Sequence, residues 1–143
     1  NYICERTDDR YPLIRLKPVR STPTDTIVTY GGMVDAVINS IEVLFVELDL
    51  KVEVFVLTQI HPLDLEDVIR SVKKTGRLYT IEEGSSFAGF GAEVIAQVSE
   101  SIKTPFVSKR ISSLPVPVAS SRTLETSIVV GEKRILELIK GSL

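Results

Sequence analysis

The chain has 143 residues, of which 43% are hydrophobic and 25% are charged, and its formal net charge is −2. This length and balance are typical of one globular domain and exclude a disordered segment. The slightly negative charge gives no electrostatic reason to expect nucleic acid or an anionic membrane surface as a partner.

Cysteine content and hydropathy bear on the cellular compartment. The single cysteine, Cys4, cannot form an internal disulfide, so we expect a reducing compartment, by default the cytoplasm. No apolar run approaches the ~20 residues that span a bilayer, and no secretory leader is recognisable, so no membrane partner is expected. Because the chain begins at Asn1 rather than at methionine, we expect it to be a piece of a longer protein.

Residues 1–25 are predicted to form an arm or linker. Prolines and charged residues alternate there with short apolar pieces, and acidic residues interrupt the basic ones. The basic residues are Arg6, Arg10, Arg15, Lys17 and Arg20. We interpret this segment as solvated and place the folded domain at residues 26–143.

Strand and helix patterns alternate from residue 26 onward. Strands are predicted at 26–30, 52–57, 78–81 and 106–111. Helices are predicted at 33–48, 91–102 and 131–140. A further helix is predicted between an N-terminal cap at Asp64 and a C-terminal cap at Gly76, with Asp67 at its third helical position. Residues 112–123 are predicted to be irregular. This alternation predicts an α/β fold with a mostly parallel sheet and helices on both faces.

The first of these helices carries an unusually wide apolar face. Met33, Val37, Ile41, Leu44 and Leu48 follow the spacing of one helical side, and further apolar residues widen it. A face this wide predicts cover from more than one direction, either by the domain's own sheet and a neighbouring helix or by another subunit. We expect self-association from this face, with a homodimer as the assembly.

A glycine-rich loop after the third predicted strand is the leading candidate for a functional site. The strand ends in Glu82 and Glu83, and the loop that follows leads into a helix at Gly91. Loops at the carboxyl ends of strands are where open α/β sheets usually bind ligands or partners. The glycines do not form GxGxxG, and neither GKS nor GKT follows, so the motif does not identify a nucleotide site.

Glu82 and Glu83 have two interpretations. Adjacent strand residues point to opposite faces, so one carboxylate must meet the core or a subunit contact, where paired carboxylates can do acid–base chemistry. We favour a structural role, in which that carboxylate accepts hydrogen bonds from backbone N–H groups of residues 84–89. Ser85, Ser86 and Phe87 form the loop tip and are expected to contact a partner.

Three other features carry weaker functional interpretations. His61, the only histidine, can act as an acid or base in a suitable pocket, but it precedes Pro62 in a turn and is interpreted as structural or exposed. Cys4 has no histidine near it to activate a nucleophile. Gly31 and Gly32 precede a helix and can bind an anion through backbone N–H groups, although Asp35 already places negative charge there.

The order of motifs resembles a known family. The segments TIVTYGGMVDAV, IHPLDLEDVIRSVKKTGRLYTIEEG, AGFGAEV and PVP occur in this order between Thr26 and Pro117. The string is similar to the C-terminal domain of the thiamine-diphosphate-dependent transketolase superfamily, and most similar to the beta subunit of the decarboxylating component of 2-oxo acid dehydrogenases. The match extends from Thr26 to near the end of the chain.

The resemblance implies a three-layer α/β/α domain with a five-stranded sheet, mainly parallel with one antiparallel edge strand. It implies that thiamine diphosphate and magnesium bind between other domains, so that no catalytic, cofactor or metal residue is carried over and the chain alone is inactive. It also implies partners: other domains or subunits of the parent enzyme and the acyltransferase component. The residues expected at such an interface are Glu82, Glu83, Ser85, Ser86, Phe87, Phe90 and His61.

Departures from the family pattern keep alternatives open. Relatives usually have Asp-Leu-Arg where this chain has Val56, Leu57 and Thr58, and Ser113 and Val118 replace an aspartate and an aromatic residue around PVP. The main hypothesis is an assembly domain of a pyruvate or branched-chain 2-oxo acid dehydrogenase. The alternatives are a stand-alone interaction module and the same domain of a transketolase or deoxyxylulose-phosphate synthase.

Overall fold

The computed structural model describes residues 2–143, in which a six-stranded sheet lies between two layers of helices. The strands are β1 (Tyr2–Arg6), β2 (Ile14–Pro18), β3 (Asp25–Tyr30), β4 (Val52–Leu57), β5 (Arg77–Ser85) and β6 (Val107–Ser113). The helices are α1 (Val34–Leu48), α2 (Glu66–Thr75), α3 (Phe90–Ser101), α4 (Arg122–Ile128) and α5 (Glu132–Lys140), and a 3-10 turn at Gly31–Met33 precedes α1.

The sheet order is β1-β2-β4-β3-β5-β6, and the four strands from β3 to β6 are parallel. Every residue of β4 is buried, as expected for a strand with a helix layer on each face. The predicted three-layer α/β/α class is confirmed, and the sheet has six strands instead of the expected five.

The two strands that the sequence pattern did not predict, β1 and β2, come from residues 1–25, which the sequence analysis assigned to an arm. β1 and β2 pair antiparallel with each other, and β2 pairs antiparallel with β4, so β1 runs in the same direction as β3 to β6 and β2 alone runs against the other strands of the sheet. The expected single antiparallel strand is therefore present, but it is the second strand of the sheet and not an edge strand. Ile14 and Leu16 of β2 pack against the core, and Arg15 forms an ion pair with the buried Glu53 of β4. The interpretation of this segment as solvated is therefore wrong for β2, because its charges are paired across strands. Residue 1 lies outside the described residues.

The core has two halves, one on each face of the sheet. On one face, α1 and α5 bury Leu44 and Ile135 against β3, β4 and β5. On the other face, α2 and α3 bury Val68 and Val98 around Phe55. Both faces use apolar side chains that alternate along the same strands, so the sheet is covered on both sides.

Two helix predictions need correction. Asp64 does accept the backbone N–H of Glu66 at 3.0 Å, but α2 begins at Glu66, which places Asp67 at the second helical position instead of the third. The helix α4 begins at Arg122, inside the segment predicted to be irregular. It buries none of its residues, so the sequence shows no apolar stripe there. Within residues 2–143, none of the helices is long and apolar enough to cross a membrane.

The parallel strands β3 to β6 end at the same side of the sheet, which we call the carboxyl edge. Tyr30, Leu57, Ser85 and Ser113 are the last residues of these strands. The turn at residues 7–13 also lies there, because Ile14 at the start of β2 pairs with Val56 near the end of β4.

Candidate functional site

Glu82 lies at the carboxyl edge and is 1% exposed. Its Oε1 accepts the backbone N–H of Gly91, in the first turn of α3, at 3.1 Å, and its Oε2 accepts the hydroxyl of Tyr30 at 3.3 Å. A carboxylate at a helix N-terminus satisfies an otherwise unpaired N–H and interacts favourably with the helix dipole. The favoured structural role is found, with Gly91 as donor where the sequence predicted residues 84–89.

Two glycines make room for the Glu82 carboxylate. A Cβ on Gly89 would lie 2.5 Å from Oε1 of Glu82 and 2.6 Å from the carbonyl oxygen of Ser85. A Cβ on Gly91 would lie 2.9 Å from the same Oε1 and 3.0 Å from Cβ of Thr80. Glycine is therefore required at positions 89 and 91 because there is no room for a Cβ beside the buried carboxylate. The backbone angles of Gly89, φ −69° and ψ 153°, are ones that any residue can adopt.

Glu83 points to the other face of the sheet, as the alternation of strand residues predicts. It is exposed, and its Oε2 would lie 3.1 Å from a Cβ built on Gly32, in the 3-10 turn before α1. The two adjacent carboxylates therefore separate, one beside the start of α3 and one beside the start of α1. The structure does not bring them together as a catalytic pair.

The loop at residues 85–89 is held by hydrogen bonds on both sides. The N–H of Ser86 donates to the carbonyl of Ser113 at 3.0 Å, Arg110 Nη1 donates to the carbonyl of Ser86 at 3.0 Å, and the N–H of Phe87 donates to Ser85 Oγ at 3.2 Å. Ala88 has a positive φ of 54°, which turns the chain back toward α3. Phe87 is 83% exposed at the tip of this ordered loop.

Tyr30 and Phe90 connect β3 to the start of α3. Their rings meet edge to face, with centroids 5.2 Å apart. Burial, followed by the nearby charge of Glu82 and its hydrogen bond, raises the pKa of Tyr30 above its ordinary value of 10.0. Phe90, predicted at an interface, lies half-buried and packs against this ring.

The raised pKa of Tyr30 predicts a loss of stability at alkaline pH. The folded chain holds the phenol proton more tightly than the unfolded chain, so the contribution is fully present below pH 10.0 and is lost as pH rises through the folded-state pKa. We expect the free energy of unfolding in urea to fall less in Tyr30→Phe than in the unsubstituted chain between about pH 8 and about pH 11. Equal falls in the two proteins would contradict this role of Tyr30.

The remaining predicted residues do not converge on one pocket. His61 is exposed in the turn before α2, and Cys4 is exposed on β1. Gly31 and Gly32 are exposed in the 3-10 turn before α1, where Gly32 lies next to the carboxylate of Glu83. Within residues 2–143, no group of three or more His, Cys, Asp or Glu side chains is arranged to hold a metal ion.

The sequence analysis missed the apolar character of the carboxyl edge beyond Phe87. Large apolar side chains are exposed at the turn after β1, at the end of β4 and after β6; they are Tyr11, Ile60, Leu114, Val116 and Val118. Pro115 and Pro117 separate the last three. The alternation of these apolar residues with proline could have predicted their exposure, since proline keeps such a segment out of the interior of a sheet.

A cleft of about 420 Å³ also opens at this edge, between the β1–β2 turn and the loop from β4 to α2. Its walls are fixed by two hydrogen bonds, from Thr58 Oγ1 to the carbonyl of Pro12 and from Gln59 Nε2 to the carbonyl of Pro62, both at 2.8 Å. The edge as a whole therefore presents ordered, partly apolar surface suited to a macromolecular contact.

The sequence profile of the family described as "Transketolase, C-terminal domain" matches residues 15–135. The chain belongs to the transketolase C-terminal domain family. This confirms the resemblance found from the motif order, and the profile covers β2, which the sequence analysis placed outside the domain.

Curated relatives of this transketolase C-terminal domain include beta subunits of pyruvate dehydrogenase. The "Pyruvate dehydrogenase E1 component subunit beta" of Porphyra purpurea is 34% identical over 143 residues, which cover 96% of this chain and 42% of the relative. The protein of the same name from Rickettsia conorii is 34% identical over 140 residues, with 94% and 42% covered. The chain thus spans about two-fifths of the length of these relatives.

A solved structure agrees with the domain assignment at the level of the fold. A split-gene transketolase, described as an inactive beta4 tetramer, superposes with a TM-score of 0.72 at 23% identity. The match covers 85% of this chain and 40% of the transketolase chain. The three-layer fold and its connectivity are therefore those of a transketolase C-terminal domain.

Proposed function

We propose that this domain is the C-terminal assembly domain of the beta subunit of a thiamine-diphosphate-dependent 2-oxo acid dehydrogenase. The observation that carries the proposal is the carboxyl edge, where a rigid loop exposes Phe87 beside other apolar side chains. The 34% identity to pyruvate dehydrogenase beta subunits across nearly the whole chain supports the parentage. We call the proposed longer protein the parent.

In this proposal the parent decarboxylates pyruvate or a branched-chain 2-oxo acid, and the domain performs no bond-making step. Thiamine diphosphate and magnesium belong to other domains of the parent, as the family resemblance implies. Magnesium takes oxygen ligands, and among residues 2–143 no three or more His, Cys, Asp or Glu side chains are grouped to hold a metal ion.

The proposed partners are the other domains and subunits of the parent, with the acyltransferase component as a further partner. The carboxyl edge is the surface we assign to the other domains of the parent. Buried apolar anchors at the centre of an interface usually contribute most of its binding energy, and Phe87 is the most exposed large apolar side chain described.

The compartment follows that of the parent. Cytoplasm is the location expected from cysteine content. The relatives from Caenorhabditis elegans and Saccharomyces cerevisiae carry "mitochondrial" in their names, and the mitochondrion is the alternative for a eukaryotic parent.

A homodimer through α1 is the proposed self-association. Ile38 and Phe45 are exposed on this helix at positions i and i+7, with the half-buried Ile41 between them, and together they extend the apolar face beyond what the core covers. Phe45→Glu is expected to shift the chain to monomer, because it places a charge in the dimer contact. Light scattering after size-exclusion chromatography measures this shift.

Val46→Glu is the matched control, since Val46 is more exposed than Phe45 but lies on another side of the helix. It is expected to leave the assembly unchanged. A chain that is monomeric without any substitution at high concentration, or equal effects of the two variants, would contradict the α1 dimer.

A decarboxylation assay with thiamine diphosphate, magnesium and a panel of 2-oxo acids tests the proposed function. We expect turnover by the product of the complete gene assembled with its partner subunit, and none by the 143-residue chain. Turnover by the chain alone would refute the assembly role. A complete gene product that is inactive toward 2-oxo acids but transfers ketol groups between sugar phosphates would assign the domain to a transketolase instead.

A further inference from the structure

The antiparallel hairpin of β1 and β2 extends the sheet beyond its helix layers. On the face that carries α1, the helix α5 packs beside α1 and against β6, which is the edge strand farthest from the hairpin. Within residues 2–143, the elements that pack extensively against β1 and β2 are other strands. The sheet therefore continues past α1 with little helix cover on this face.

The uncovered part of the sheet is apolar. The strand register places Cys4 opposite Leu16, and Leu16 opposite Val54 of the core, so these residues share the face that carries α1. Tyr2 and Ile14 belong to the same face and are only partly buried against the core. Cys4 is exposed. We call the four side chains of β1 and β2 on this face, Tyr2, Cys4, Ile14 and Leu16, the hairpin face.

The exposed apolar side chains of α1 adjoin the hairpin face. Val43 lines a small groove between α1 and α5, which identifies the side of α1 that faces α5. Ile38 and Phe45 lie roughly 140–160° around the helix from Val43, so they point away from α5 and toward the hairpin. We call Ile38, Ile41 and Phe45 the α1 stripe. The stripe and the hairpin face form the two walls of one apolar groove.

The area of the α1 stripe is too small for a dimer on its own. Each partner of a standard protein interface buries ~800 Å². A stripe of three side chains, of which Ile41 is already half-buried, covers only a fraction of that area. A dimer through α1 therefore needs a second surface on each copy. The hairpin face is the apolar surface that is continuous with the stripe.

The charges around the groove are complementary between two copies of the chain. α1 carries three acidic residues and no lysine or arginine, and one of the three, Glu42, is exposed beside the α1 stripe. Arg6 is exposed on the same face of the hairpin as Cys4, because it alternates with Cys4 along β1. Within residues 2–143, neither Arg6 nor Glu42 takes part in an ion pair. Each copy thus offers one unpaired cation and one unpaired carboxylate.

We propose that the groove binds the α1 helix of a second copy of this chain, in a two-fold dimer whose α1 helices are antiparallel. The inference rests on the α1 homodimer of the proposed function and adds the hairpin face to its interface. In a two-fold contact the same patch is used on both copies, so each α1 packs against the stripe and the hairpin face of the other. Antiparallel packing about an axis near Ile41 places Ile38 of one copy against Phe45 of the other.

The direction of α1 determines which charges meet across this interface. α1 follows β3 and so begins at the carboxyl edge, and Arg6 also lies near that edge because it pairs with Ile14, which pairs with Val56. An antiparallel second helix brings its carboxyl-terminal half to Arg6. Arg6 then forms an ion pair with Glu42 of the second copy and faces the negative end of its helix dipole.

Sedimentation of charge-reversal variants of the 143-residue chain tests this pairing. Arg6→Glu and Glu42→Arg are each expected to raise the dimer dissociation constant about tenfold or more, because each brings like charges together twice in a two-fold interface. The double variant Arg6→Glu with Glu42→Arg restores the pair with reversed sign and should return to within about threefold of the unsubstituted chain. Lys103→Glu reverses an exposed cation after α3, on the other face of the sheet, and should stay within about twofold.

The outcomes separate this interface from the simpler α1 contact and from the parentage. A dimer that Phe45→Glu breaks and Arg6→Glu leaves intact would overturn the groove and keep the α1 contact. A double variant as weak as the single variants would show that Arg6 and Glu42 do not meet. An unsubstituted chain that stays monomeric would overturn the dimer, and the decarboxylation assay would still decide the parentage.

Sedimentation of the complete gene product with its partner subunit identifies a different occupant. If Arg6→Glu leaves the contact between two copies intact and releases the partner subunit instead, that subunit occupies the groove. This result would also overturn the second copy as the occupant. Release of neither the second copy nor the partner subunit would show that the hairpin face is not an interface.

Discussion

Replacing Arg15 by methionine is expected to lower the free energy of unfolding by about 2–3 kcal/mol, because it leaves the other charge of a largely buried ion pair without a partner. Glu53 is 3% exposed, and its Oε1 accepts Arg15 Nε at 2.6 Å. Its other oxygen accepts the hydroxyl of Ser71 at 2.5 Å, which alone cannot neutralise the charge. Arg15 is about one-third exposed, so water reduces the loss below that for a fully buried pair. Urea denaturation monitored by circular dichroism measures the change.

Lys17→Met is the matched control on the same strand. Lys17 pairs with the partly exposed Glu5 at 2.6 Å, and such surface pairs contribute about 0–1 kcal/mol. The double variant Arg15→Met with Glu53→Met is expected to recover much of the loss, because an apolar pair of similar volume needs no neutralisation. If Arg15→Met were no more destabilising than Lys17→Met, β2 would not be anchored by this ion pair.

Gly91→Ala is expected to destabilise the domain by about 2–3 kcal/mol, within the range found for overpacking a buried position. The added methyl group would meet the hydroxyl of Thr80 and Oε1 of Glu82, which would displace the carboxylate from the start of α3. The hydroxyl of Thr80 is buried and has no hydrogen-bond partner among the described residues. Thr80→Ala therefore removes part of the obstacle at little polar cost.

The double variant Thr80→Ala with Gly91→Ala should recover about half of the loss, and the coupling is read from a double-mutant cycle. Gly141→Ala is the control, because a Cβ there would lie 3.4 Å from the nearest atom, the carbonyl oxygen of Glu137. We expect it to change stability by less than about 0.5 kcal/mol. A Gly91→Ala variant as stable as Gly141→Ala would show that α3 can shift away from Glu82.

Sequence patterns predicted the elements whose burial is periodic. The run at 52–57, apolar except for Glu53, identified β4 with its observed bounds, since a strand covered on both faces has few polar positions. The divergence of Glu82 and Glu83 followed from strand alternation alone. The hydrogen bond from the N–H of Gly91 to Glu82 was not predictable, because it depends on β5 continuing past Glu82 to Ser85. This extension places the Glu82 carboxylate beside the first turn of α3 instead of beside the loop.

The elements that were missed depend on contacts between distant residues. β1 and β2 were assigned to an arm because Arg15 looks solvated until Glu53, 38 positions away, is placed beside it. The helix α4 packs too little of its surface to leave a periodic pattern.

The most direct test of the assembly role measures sedimentation and decarboxylation of the parent enzyme carrying Phe87→Asp. The control is Val107→Asp, which changes another exposed apolar side chain at the other end of the strands. We predict that Phe87→Asp weakens subunit association and lowers total activity in proportion, while the activity of each assembled complex is unchanged. Val107→Asp should assemble normally. A fully assembled Phe87→Asp enzyme without activity would contradict the account, because it would place this loop in the chemistry itself.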